Sequence, residues 1–102
     1  MDDLPQFERW PMSRVQFLAA DVFMGQLVRL ESFDDGHYRA VFRRGYFHLE
    51  EGQEPSKSQW NTLKKRFKRR HRNIFVFRTY GPLEADGNNS EYYYMDFGFL
   101  RV

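Results

Sequence analysis

From Ser56 to His71 the apolar side chains return at helical spacing: at about 100° per residue, Trp60, Leu63, Phe67 and His71 fall on one narrow stripe. A stripe of this kind is stable only against another apolar surface, so the rest of the chain has to supply one. Ser56-Lys57-Ser58-Gln59, behind Pro55, has the capping-box pattern in which the serine caps an early amide and the glutamine reaches back. The spacing predicts a main helix over Ser56 to His71, with Asn73 as its C-terminal cap.

The partner surface is read in segments of period two. Gln26 to Phe33 and His37 to Phe42 read as two strands joined by a tight turn at Asp34-Asp35-Gly36. Tyr38, Ala40 and Phe42 share one face, and Arg39, Val41 and Arg43 the other. Tyr46 to Leu49 is expected to extend the second strand past Gly45 through a bulge. After the main helix, Ile74 to Tyr80 reads as a strand with Ile74 and Val76 opposite Phe75 and Phe77. Gly81 to Glu91 is a loop by composition, and Tyr92 to Val102 a last strand with Tyr93, Met95, Phe97 and Phe99 on one face.

A shorter helix precedes the first strand. Ser13-Arg14-Val15-Gln16 repeats the capping pattern, Val15, Leu18, Ala19 and Val22 keep helical spacing, and Gly25 weakens any continuation. Residues 1–11 form an irregular arm with Phe7 and Trp10 as anchors, and Glu50 to Pro55 is a polar connector. The fold class is therefore α+β, in the order α-β-β-α-β-β, with a small antiparallel sheet packed by one face on the main amphipathic helix. A chain of 102 residues is one domain, 1–102, able to bury a core without covalent help. With eleven Phe, six Tyr and two Trp, that core is aromatic.

The other side of the main helix carries the charge. Seven of the nine residues from Lys64 to Arg72 are Lys or Arg. The stretch from Pro55 to Leu83 holds nine basic residues and no acid, whereas residues 1–54 hold six basic against ten acidic. The formal net charge of +2 thus conceals a dipolar chain whose positive field attracts polyanions or an acidic protein surface.

Several classes are disfavoured. There is no Cys, hence no disulfide framework, no thiolate metal site and no thiol nucleophile. His37, His48 and His71 lack zinc-site spacing, and His48 with Glu50 is the best metal pair available. Asp34 and Asp35 are accounted for as turn residues. No nucleophile elbow or phosphate-cradling glycine loop is present, so neither catalytic residues nor a cofactor are assigned. No segment approaches the roughly 20 apolar residues that span a bilayer, and the acidic start Met1-Asp2-Asp3 reads as neither signal nor transit peptide. The expectation is a cytoplasmic protein without membrane insertion, in which the sequon Asn88-Asn89-Ser90 is a chance match.

Binding without catalysis is the reading that remains, with nucleic acid, RNA or DNA, as the leading ligand. Lys57, Lys65, Arg66, Lys68, Arg69 and Arg72 are placed to neutralise backbone phosphates, in a salt-dependent and largely sequence-blind manner. If one sheet face is uncovered, Tyr46, Tyr80, Tyr92 and Tyr94 are candidates to stack on unpaired bases. The plainer account is a solvated helix face, with cations near the helix C-terminus favoured by the macrodipole at roughly 0.3–1 kcal/mol each. The alternative function is a small adaptor that docks an acidic protein partner or pairs with a second copy of itself.

Overall fold

The computed structural model describes residues 5–84 and 91–101, with no side-chain description for Leu83, Glu84 and Glu91. The chain forms β1 (Phe7–Glu8), α1 (Met12–Phe23), β2 (Leu27–Ser32), β3 (Tyr38–Arg43), a 3-10 turn (Arg44–Phe47), α2 (Lys57–Arg70), β4 (Ile74–Glu84) and β5 (Glu91–Leu100). The α+β class and the element order follow the sequence pattern, with β1 added in the arm. The expected loop over Gly81 to Glu91 is shorter than read, since Gly81 to Glu84 continue β4 and Glu91 opens β5; the sequon and the rest of that stretch lie outside the described residues, as do residues 1–4 of the arm and Val102.

Every strand pairing is antiparallel, and β5 is the spine of the sheet. Phe97 pairs with Tyr38 of β3 and with Val76 of β4, so these strands flank β5 on opposite edges. β2 continues the sheet beyond β3, and Phe99 pairs with both Glu8 and Ile74, which puts β1 opposite β4. Both helices lie against the face that carries Tyr38, Ala40, Phe42, Tyr93, Met95, Phe97, Phe99 and Ile74.

The core is one continuous aromatic cluster. Phe23 of α1 is fully buried, stacks on Phe42 at 4.4 Å and meets Tyr46 and Phe67 edge-on. Phe67 of α2 packs on Phe97 at 4.8 Å, and Trp10 stacks on Phe99 at 4.4 Å. Fully burying a side chain of this size contributes about 1.5–3 kcal/mol, so these few contacts hold both helices and the arm on the sheet.

Local expectations fared unevenly. The Ser56 capping box forms: Gln59 N donates to Ser56 Oγ at 3.1 Å, and Ser56 N donates to Gln59 Oε1 at 2.8 Å. Its counterpart at Ser13 does not, because α1 already begins at Met12 with Pro11 at the cap and no side-chain cap bond. His71 rather than Asn73 caps α2, in extended conformation, with its ring edge-on to Trp10 and Phe99. The expected strand extension over Tyr46 to Leu49 is a 3-10 turn, which folds Tyr46 and Phe47 back onto the core. α1 ends before Gly25, φ 87°, as anticipated, with Met24, φ 49°, as its left-handed C-cap, which the sequence reading did not foresee.

Candidate nucleic-acid interface

α2 sorts its cations by the side of the helix they occupy. Leu63 and Phe67 are buried against the sheet, which turns Lys57, Lys65, Lys68 and Arg69 outward to solvent, and Arg72 is exposed just beyond the C-cap. Among the described residues, none of these five has a carboxylate within ion-pair distance. Arg66 and Arg70 sit on the flank that faces α1 and are engaged within the molecule. Arg66 Nη1 donates to the Tyr46 hydroxyl at 2.7 Å, and Arg70 Nη2 lies 2.7 Å from Asp21 Oδ2 of α1. The expected cluster is therefore brought together, with Arg66 half-buried and partly used as a strut.

The tyrosines divide differently. Tyr46 is buried, its ring against Phe23, Phe42 and Phe47 and its hydroxyl on Arg66, so it presents no platform to a ligand. Tyr92, Tyr94 and Tyr80 lie on the sheet face that no helix covers, on the opposite side of the molecule from α2. That face is stacked upon itself. The Arg39 guanidinium lies 4.1 Å from the Tyr94 ring centroid and 5.1 Å from that of Phe33. Tyr94 stacks on Tyr80 at 5.4 Å, and Phe33 on His37 at 4.3 Å. Tyr80, 57% exposed, is the most open of the three.

At the centre of this face Asp96 is fully buried beneath Arg39 and Arg78, which donate to its carboxylate at 2.8 and 3.0 Å. The bonds to Asp96 hold the Arg39 guanidinium firmly protonated, its pKa raised above the usual value. Sequence reading missed this triad, because a shift of pairing between Val76 and Arg78 makes Phe77 an extra residue and turns Arg78 to the outer face. The Asp96 carboxylate amid strand aromatics was the only sequence signal available for it.

A second feature lies where the helices meet. Trp10, Arg14, Phe17, Leu18, Asp21 and Arg70 line an open groove of about 370 Å³. Phe17 is 79% exposed there, and the Arg14 guanidinium stands 5.1 Å from the Trp10 ring centroid. Among the described residues no three His, Asp or Glu side chains gather to hold a metal, and no helix is long and apolar enough to cross a membrane. Comparison with protein-family models, with curated proteins and with solved structures finds no match.

Proposed function

We propose that this protein is a non-catalytic nucleic-acid-binding protein that grips backbone phosphates with the outward face of α2. The observation that carries the proposal is that, among the described residues, Lys57, Lys65, Lys68, Arg69 and Arg72 have no ion-pair partner, against the internal use of Arg66 and Arg70. Cations that served only to join the helices would be engaged as Arg70 is; these five leave their charge open to solvent and to an incoming polyanion. The contacts are with phosphate, which fixes position and carries little sequence information. Tyr94 is not assigned to base stacking, since its ring already packs against Arg39 and Tyr80.

The test is binding of labelled single-stranded and duplex RNA and DNA across a salt series, beside the Lys65→Glu/Arg69→Glu variant. Affinity should fall steeply with salt, and the variant should bind weakly with a slope smaller by about two, roughly one per lost phosphate contact. Both positions are exposed, so the variant should stay folded. Failure of the wild type to bind at low salt refutes the proposal and leaves an acidic protein surface as the ligand to pursue.

A further inference from the structure

We propose that the groove between α1 and α2 receives one unpaired nucleobase, so that the preferred ligand is a single strand or a strand with an extruded base. This rests on the phosphate-binding reading of α2 and adds the class of nucleic acid. The groove begins where the basic face ends: Arg70 forms part of its wall, and the adjoining Arg69 and Arg72 are exposed cations of the proposed phosphate track. Phe17 lines the same groove as Arg70.

The chemistry of the wall suits a nucleotide. Phe17 and Leu18 present apolar surface, and the Phe17 ring is open to solvent over most of its area. Two guanidiniums stand at the rim, and both are oriented: Arg14 by the Trp10 ring and Arg70 by Asp21 at 2.7 Å. A nucleobase offers a flat π-face to the phenyl ring and carries a phosphate to meet Arg14, while Arg70 stays on Asp21 as part of the wall. The volume of about 370 Å³ falls in the range of small-molecule sites. Stacking on a phenyl ring is tolerant of base identity, so the groove selects for an unpaired base rather than for a sequence.

The experiment compares a labelled oligothymidylate with a blunt duplex of the same length, for wild type, Phe17→Ala, Met24→Ala and Lys65→Glu/Arg69→Glu. Met24 is a second exposed apolar side chain near the end of α1, outside the groove, and serves as the control. Phe17→Ala should weaken oligothymidylate binding by about tenfold, leave the duplex and the salt slope unchanged, and differ from Met24→Ala. Circular dichroism should show the native fold, because the ring removed is on the surface. An equal loss for both ligands, or none for either, overturns the groove proposal while leaving the α2 reading standing. Absence of wild-type binding to both ligands overturns the two together.

Discussion

Asp96 of β5 and Arg39 of β3 are paired twice over, with Arg39 Nε to Oδ1 at 2.8 Å and Arg39 Nη2 to Oδ2 at 3.1 Å, at a carboxylate that is fully buried. Arg78 closes the arrangement from β4. The triad joins three adjacent strands on the sheet face opposite the two helices. Asp96→Ala would leave two clustered guanidiniums without their shared acceptor and should cost about 3 kcal/mol. Urea unfolding measures this directly, and a loss below about 1 kcal/mol would make the triad a surface ornament.

Phe7 anchors the arm by lying over Gly98. A Cβ at Gly98 would come within 2.6 Å of the Phe7 ring carbons Cδ1, Cγ and Cε1. Gly98→Ala should therefore cost about 1–3 kcal/mol by dislodging the ring from β5. In a double-mutant cycle, Phe7→Ala should absorb much of that cost, and strict additivity would show that the two residues do not meet.

Two serines with the same sequence signature should behave differently. Ser56→Ala removes a formed capping box and should lose about 1 kcal/mol. Ser13→Ala alters an exposed residue within α1 and should stay within about 0.5 kcal/mol of wild type. Thermal unfolding of the pair decides this.

The hairpin turn carries a pH dependence. Burial by itself would raise the Asp35 pKa, but hydrogen bonds from the His37 amide at 3.0 Å and contact with its ring outweigh burial and hold the carboxyl below its ordinary 3.8. A carboxylate depressed in the folded state adds stability above its unfolded value and loses it as pH falls through the folded one. The stability gap between wild type and Asp35→Asn should be full at neutral pH and narrow only below about pH 3.8. A gap that stays unchanged on acidification would show that the Asp35 carboxylate adds no stability to the turn.

The parts legible in the sequence are those set by local periodicity. Trp60, Leu63 and Phe67 face the core because they recur at helical spacing, and Tyr93, Met95, Phe97 and Phe99 face it because they alternate. The exposed cations of α2 follow from the same geometry, being what is left once the stripe is buried. The less legible parts depend on a neighbour. Ser13 and Ser56 share a motif, and only the packing of the arm, which puts Pro11 at the cap, tells them apart.

By itself, the sequence determined the α+β class, the apolar stripe of α2 and the basic face opposite, because side-chain direction in a regular element follows from backbone period alone. Tertiary structure decided the rest. The extra residue Phe77 in β4 reverses the alternation, so Arg78 meets Asp96 on the outer face in place of the core. Folding likewise set Arg66 on Tyr46, Arg70 on Asp21 and the groove beside Phe17, since each requires elements distant in sequence to approach at one angle, which no local pattern encodes.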